Sequence, residues 1–338
     1  MFKVGFRQGV LDDPTRRDWD DDGPRPIRWS AWYPAMSEAV ERRVELPPDA
    51  PLFVMGDVAR EAPLARQERP FPVVLLSHGT GGTAAGLGWL AQGLARAGHL
   101  VVGVDHHGNT ASEPYRAEGF LCWWERPRDL TVALDRLLVE GPFAGRLDAG
   151  QVSVAGFSLG GHAALALAGA ITEMPRFLAW ARHRNMGEGP REFPHLPDHI
   201  EPLLESSEVF RASWQRQSAN YLDRRVRAVF ACAPAPTVRG FTPESLATID
   251  LPVMLAVGGA DHEAPAPECV GWLAAHLPRV RVEPLGEEVG HYVFLAEGTA
   301  RGRVEMPELW QDPPGVDRCA VQAHVVALAR QALRQTIA

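Results

Sequence analysis

Lysine is almost missing from this sequence, since Lys3 is the only one among 338 residues. A mechanism built on a lysine Schiff base is therefore disfavoured, because Lys3 lies beside the chain terminus, where order is least expected. Acidic residues outnumber basic ones, 42 to 34. The sequence shows no clustered basic excess of the kind that binds nucleic acid, so we expect no nucleic-acid partner.

Cysteine is scarce as well. Cys122, Cys232, Cys269 and Cys319 lie far apart and form no C-x-x-C pair, which argues against a zinc knuckle or a dithiol site. The twelve histidines include no H-E-x-x-H pattern. We therefore expect no metal site.

Long apolar runs are also lacking. No stretch of about 18 apolar residues occurs, and the N-terminal segment has no apolar core of the kind found in signal peptides. We expect no stable membrane insertion, and a cytoplasmic location is the default expectation.

The sequence does contain a regular alternation of short apolar runs and helical patterns. This alternation predicts an α/β fold, a mostly parallel central sheet with helices on both faces. Two opening strands in a hairpin or meander are expected at 3–8 and 27–33, and 47–70 is expected to be a loop. The buried strands are expected at 73–77, 100–104, 152–156, 226–232, 252–257 and 280–283, and the helices at 83–97, 129–139, 159–170, 269–277 and 317–335.

One segment interrupts the alternation. Residues 172–224 contain a Gly/Pro-rich stretch and a helical pattern at 201–221. A structureless loop of this length would be unusual in a compact domain. We therefore interpret 172–224 as a helical lid or cap inserted over the carboxyl edge of the sheet, with 1–171 and 225–338 as the core.

The strongest chemical signal is a G-x-S-x-G pentapeptide centred on Ser158. A predicted buried strand precedes Gly156, and a predicted helix follows Gly160. This is the context in which a strained turn presents a serine hydroxyl as a nucleophile. A chance pentapeptide is the alternative, but the flanking strand and helix favour Ser158 as the catalytic nucleophile.

A second signal is the His78-Gly79-Thr80-Gly81-Gly82 loop that follows the strand at 73–77. In this context such a loop supplies one backbone N–H of an oxyanion hole, and the residue after the nucleophile supplies the other. By position the donors would be Thr80 and Leu159. The alternative is a glycine-rich turn that merely begins a helix.

Two further side chains complete a Ser…Asp…His order. Asp261 follows the strand at 252–257, and His291 follows the strand at 280–283. They are the candidates for the acid and the base of a catalytic triad with Ser158. Glu263 is the competing acid, because it lies only two residues beyond Asp261.

Aromatic residues close to these positions could form a substrate pocket. Trp123, Trp124, Phe157 and Tyr292 are the candidates. For any one of them, ordinary packing in the core or the lid is the simpler interpretation.

These motifs together resemble a known family. The stretches VGFR, RWSAWYPA, LLSHGTGG, AGFSLGGH, GHYVFL and DPPGVDRCAVQAH are similar to those of bacterial dienelactone-hydrolase-like serine carboxylesterases of the α/β-hydrolase superfamily, which are related to platelet-activating-factor acetylhydrolase. The resemblance implies hydrolysis of small or short-acyl esters through an acyl-enzyme, without metal or organic cofactor. This chain differs from true dienelactone hydrolases at the nucleophile, because they use cysteine where this chain has Ser158.

Other functions are compatible with the same residues. A thioesterase, a lactonase or an amidase would use the same triad, and the sequence does not separate them. A non-catalytic binding protein on this fold is the alternative of a different class, and it would be expected to carry a damaged triad. The expected partner is a small-molecule ester, and a homodimer is left open.

Overall fold

The strands and helices follow one another in the predicted alternation. The computed structural model describes residues 1–184 and 189–334. The strands are Lys3–Arg17 (β1), Pro24–Ala35 (β2), Arg42–Leu46 (β3), Phe53–Arg60 (β4), Phe71–Ser77 (β5), Leu100–Asp105 (β6), Leu147–Phe157 (β7), Val226–Cys232 (β8), Val253–Val257 (β9), Val280–Pro284 (β10) and Glu297–Gly298 (β11). The helices are Gly88–Arg96 (α1), Ala117–Leu121 (α2), Glu125–Val139 (α3), Leu159–Leu167 (α4), Met174–His183 (α5), Ile200–Ser206 (α6), Glu208–Trp214 (α7), Pro243–Ala247 (α8), Val270–His276 (α9), Ala300–Glu305 (α10), Pro307–Trp310 (α11) and Arg318–Arg334 (α12).

All of these strands belong to one sheet. Its order is β10, β9, β8, β7, β5, β6, β2, β1, β4 and β11, with β3 paired to β4. Strands β5 to β10 pair with one another in parallel. Nearly every residue of β5 and β9 is buried, as expected when helices cover both faces of a parallel sheet. The predicted α/β fold with a mostly parallel sheet is confirmed.

The N-terminal part extends this sheet with antiparallel strands. β2 pairs antiparallel with β6, and β1 pairs antiparallel with β2. The expectation of a loop at 47–70 is wrong, because β4 lies there between β1 and β3. The strand was missed because its buried residues occur in adjacent pairs on either side of Gly56 (φ +124°), which removes the alternation that identifies a half-buried strand.

The segment 172–224, which was interpreted as an inserted lid, contains helices that are shorter than predicted. Helices α5, α6 and α7 lie within 172–224, and the helix predicted at 201–221 is the two short helices α6 and α7. Their apolar side chains join α2 and the segment after it in a second hydrophobic cluster, separate from the main core. No helix in the described part of the chain is long and apolar enough to cross a bilayer.

Candidate active site

Ser158 stands in a sharp turn between β7 and α4. Its backbone has φ 54° and ψ −118°, a left-handed region that is costly for a residue with a side chain. The turn is so tight that a Cβ on Gly160 would lie 1.9 Å from the Ser77 carbonyl oxygen. The second glycine of the pentapeptide is therefore required for β5 and α4 to approach each other, as the motif predicts.

Asp261 and His291 are brought together by the loops that follow β9 and β10. The Ala260 amide donates to the Val289 carbonyl oxygen over 3.0 Å, and a Cβ on Gly258 would lie 2.0 Å from that oxygen. The two loops are thus in direct backbone contact. As a result His291 Nδ1 lies 2.7 Å from Asp261 Oδ2, with both residues buried.

This contact fixes the form of the imidazole. A carboxylate oxygen accepts hydrogen bonds, so Nδ1 of His291 carries the proton and Nε2 has a free lone pair. The other Asp261 oxygen, Oδ1, accepts from the Ala264 amide over 2.7 Å. Phe157, the residue before the serine, packs on the imidazole with ring centroids 4.7 Å apart. His291 is therefore oriented from two sides.

The competing acid Glu263 has a different partner. It lines the cavity into which Ser158 faces, and it lies against the Tyr292 hydroxyl. Burial and the neighbouring Glu263 carboxylate raise the pKa of Tyr292. The carboxylate in contact with the His291 ring is that of Asp261 and not that of Glu263.

The predicted oxyanion donors belong to two separate segments, and both residues line the cavity that Ser158 lines. Leu159 is the first residue of α4, where backbone N–H groups have no partner within the helix. Thr80 lies in the loop after β5. The next residue, Gly81, is held by two polar contacts: its amide donates to Asn109 Oδ1 over 2.6 Å, and its carbonyl accepts from the Tyr115 hydroxyl over 2.8 Å.

One cavity of about 1410 Å³ collects most of the predicted residues. Ser158, His291 and Glu263 line it. The two predicted oxyanion donors, Thr80 and Leu159, also line it. So do three of the four predicted aromatic residues, which are Trp123, Phe157 and Tyr292. Asp261 lies behind His291 and is outside the lining. The volume exceeds the roughly 300–1,000 Å³ usual for small-molecule sites.

Trp124 is the exception among the predicted pocket residues. It is 1% exposed, and it does not line the cavity. Its indole nitrogen donates to the carbonyl and hydroxyl oxygens of Ser213 over 3.0 and 3.1 Å, and its ring packs on Trp214. Trp124 therefore anchors α7, and the interpretation as ordinary packing applies to this residue.

Helix α5 contributes a wall of the cavity that the sequence pattern does not reveal. Met174, Phe177, Leu178, Ala181 and Arg182 all line it. Their spacing of three and four residues is that of one face of a helix. This periodicity predicts that α5 has one apolar face, but it does not show which part of the molecule that face contacts.

A buried charge network lies beneath the loop 78–82, centred on Asp129 in α3. Arg25 donates to both Asp129 oxygens over 2.8 and 3.0 Å, and Arg16 lies 2.7 Å away. Burial alone would raise the pKa of Asp129, but the two arginines outweigh it and hold that pKa well below its usual range. His106 joins the network, with Nδ1 3.0 Å from Asp129 and Nε2 2.8 Å from the Ser77 hydroxyl.

The histidines around this network are neutral at physiological pH. Burial, assisted by the positive charge of Arg126, lowers the pKa of His106 to about 4 and that of His162 to about 3. Burial also holds the pKa of His78 well below its usual range. Within the described residues, no group of three or more His, Cys, Asp or Glu side chains is arranged to hold a metal ion.

Comparison with solved structures supports the fold. A ferulic acid esterase from Streptomyces cinnamoneus superposes with a TM-score of 0.65 over 99% of this chain and 90% of its own, at 21% identity. A puromycin-hydrolyzing peptidase of Mycobacterium tuberculosis superposes with a TM-score of 0.55 over 98% of this chain and 39% of its own, at 14% identity. The chain has the α/β-hydrolase fold.

Comparison with curated proteins gives shorter matches. Cutinases est2 and est1 of Thermobifida alba are each 30% identical to this chain over 105 residues. The match spans about a third of the length of these relatives, 32% in each case, and 30% of this chain. No family model matches the sequence.

Proposed function

We propose that this protein is a serine hydrolase that cleaves carboxylic esters through an acyl-enzyme. Ser158 would act as nucleophile, His291 as general base and Asp261 as the carboxylate that orients the base. The observation that carries the proposal is the 2.7 Å contact of Asp261 with His291 Nδ1. This contact leaves Nε2 of His291 available to accept a proton, and His291 and Ser158 line the same cavity.

The chemistry follows from these positions. His291 Nε2 takes the proton of the Ser158 hydroxyl as its oxygen attacks the ester carbonyl carbon. The N–H groups of Thr80 and Leu159 stabilise the negative charge that develops on the carbonyl oxygen, each by roughly 3–4 kcal/mol. His291 then protonates the leaving alcohol, and a water molecule activated by the same histidine releases the acid.

The cavity supports substrates larger than short-acyl esters. The wall of the cavity that Ser158 lines includes an apolar set from the segment 172–224: Met174, Phe177, Leu178, Leu196, Ile200 and Trp214. Apolar walls of this kind bind hydrocarbon or aromatic groups. We therefore extend the proposal to esters with a bulky apolar acyl or alcohol part. The names of the cutinase and ferulic acid esterase relatives point to the same range.

A substrate panel tests the proposal. Nitrophenyl esters from acetate to laurate, methyl ferulate, an acyl thioester, a lactone and an anilide would be compared by kcat/KM, with Ser158→Ala as the control. We expect the highest values for esters and a complete loss in Ser158→Ala. Equal rates in the two proteins would overturn the proposal, and a preference for thioester, lactone or anilide would reassign the reaction on the same residues.

A cytoplasmic location and a homodimer stay predictions. Fractionation of the native host and sedimentation of the purified chain would test them separately.

A further inference from the structure

Arg126 donates two hydrogen bonds to the oxyanion loop, which is the segment 78–82 that carries the proposed donor Thr80. Arg126 is the second residue of α3 and is 2% exposed. Its Nη1 donates to the His78 carbonyl oxygen over 2.6 Å, and its Nη2 donates to the Gly79 carbonyl oxygen over 3.3 Å. Nothing in the local sequence pattern around Arg126 shows that α3 packs beneath the loop 78–82.

The burial of this guanidinium is not explained by ion pairing. Arg16 and Arg25 of the same buried region each pair with a carboxylate. Arg126 forms no ion pair with any residue in the ranges 1–184 and 189–334. Burial lowers the pKa of Arg126 to about 9, so the group is still charged at neutral pH. The Asp129 carboxylate acts on Arg126 only beyond ion-pair distance and partly offsets the effect of burial on its pKa. A buried charge without a bonded carboxylate is costly, and the hydrogen bonds of this one go to two backbone carbonyl oxygens.

The Gly79 carbonyl is fixed by three donors. Besides Arg126, the ring Nδ1 of His78 donates to it over 2.7 Å and the Gly82 amide donates over 3.3 Å. The His106 amide donates to the other ring nitrogen of His78 over 3.2 Å, which places the His78 proton on Nδ1.

The orientation of the Thr80 amide follows from this arrangement. In a trans peptide the C=O and N–H groups point in opposite directions. The Gly79 carbonyl and the Thr80 N–H belong to the same peptide, and Thr80 lines the cavity. Holding the carbonyl towards Arg126 therefore turns the N–H away from Arg126.

We propose that Arg126 is a positioning residue for the oxyanion hole, which fixes and polarises the Gly79–Thr80 peptide so that the Thr80 N–H donates more strongly to the oxyanion. The inference rests on the proposed function. A hydrogen bond accepted by a peptide carbonyl strengthens the donor at the other end of that peptide. The positive charge behind the peptide also favours negative charge in front of it. Arg126 acts through the peptide and does not contact the substrate.

The test compares Arg126→Met and Arg126→Lys with Arg128→Met. Arg128 is close by on α3, is partly exposed and donates to the Thr15 hydroxyl, away from the loop. The measured quantities are kcat per active site counted with a fluorophosphonate, KM, and the Ki of a trifluoromethyl ketone with the same acyl group. These separate a weakened oxyanion hole from a loss of folded enzyme.

For Arg126→Met we expect kcat per counted site to fall about 10- to 100-fold, less than the full loss of a donor, with KM nearly unchanged. The Ki of the ketone should rise in parallel. Arg126→Lys should recover part of the loss, because it keeps the charge, and Arg128→Met should match the wild type. Full kcat per site in folded Arg126→Met would overturn the inference and leave Arg126 a structural role.

A measurement on the wild type covers the case in which the variants do not fold. A crystal structure with the trifluoromethyl ketone should place its oxygen within about 3.1 Å of the Thr80 nitrogen. An oxyanion held by other donors, with the Thr80 N–H turned elsewhere, would overturn the inference. Failure of the proposed function is distinct, because the wild type would then show neither ester hydrolysis nor an adduct at Ser158.

Discussion

Replacing Asp261 by asparagine reverses one hydrogen bond in the candidate site and leaves its neighbour intact. The asparagine oxygen can keep the bond that Oδ1 now accepts from the Ala264 amide over 2.7 Å. Its NH₂ group then faces His291 Nδ1, where Oδ2 lies at 2.7 Å. Since an amide nitrogen only donates, His291 must carry its proton on Nε2. The imidazole then has no lone pair for the Ser158 hydroxyl.

The expected consequence is a large loss of rate without a loss of fold. A base held in the wrong tautomer lowers kcat by about 10⁴-fold in a serine triad, which corresponds to about 5 kcal/mol of barrier. Hydrolysis of a nitrophenyl ester over a pH series measures the rate, and thermal unfolding checks that the protein remains folded. The matched control is Glu263→Gln, which changes a carboxylate two residues away on the cavity wall.

The control decides between the two candidate acids. We expect Glu263→Gln to retain kcat within about threefold, because Glu263 lies against Tyr292 and not against the imidazole. If Glu263→Gln lost activity and Asp261→Asn kept it, the acid would be Glu263. If both variants kept full activity, the tautomer argument would be refuted.

Three further predictions concern the turn at the serine and the buried histidines. Ser158→Gly should abolish hydrolysis and raise the free energy of unfolding by about 1 kcal/mol, because it relieves the strained backbone at φ 54°; an unfolding free energy at or below that of the wild type would contradict the strain. Gly160→Ala should lower the free energy of unfolding by about 3 kcal/mol, since its Cβ would lie 1.9 Å from the Ser77 carbonyl oxygen; urea denaturation measures both variants, and a neutral result would refute the close approach. The wild type should lose about 1 kcal/mol of stability for each of His106 and His162 between about pH 7.5 and 5.5. The folded pKa values of about 4 and about 3 lie below the unfolded value, so the stabilisation is complete above the unfolded pKa and is lost as the pH falls. A flat urea midpoint over this range would contradict it.

Much of the parallel half of the sheet could be predicted because its signals are local. The strand β8 was predicted at its observed bounds, and β5 and β9 within two residues, since each is a short, mostly apolar run that can be recognised without knowledge of the rest of the chain. The turn at Ser158 was predictable for the same reason. By contrast, β4 has no alternation to detect, because its register with β3 shifts between Gly56 and Val54 and its buried residues occur in adjacent pairs.

The parts of the candidate site that could not be predicted depend on packing between distant segments. The apolar face of α5 could be recognised from the helical spacing of its residues, but only the fold shows that this face lines the cavity. Trp124 differs from Trp123 by one position, and only the placement of α7 decides which of the two rings reaches the cavity. Arg126 likewise meets the His78 and Gly79 carbonyls across 48 and 47 residues of chain.

The central claim is that Ser158 is a nucleophile activated by His291. Mass spectrometry after reaction with a fluorophosphonate tests it most directly, with the rate of labelling compared between the wild type and His291→Ala. We predict a single adduct at Ser158 in the wild type and a labelling rate lower by orders of magnitude in His291→Ala. An adduct at another residue, or labelling of Ser158 at an equal rate in both proteins, would contradict the account.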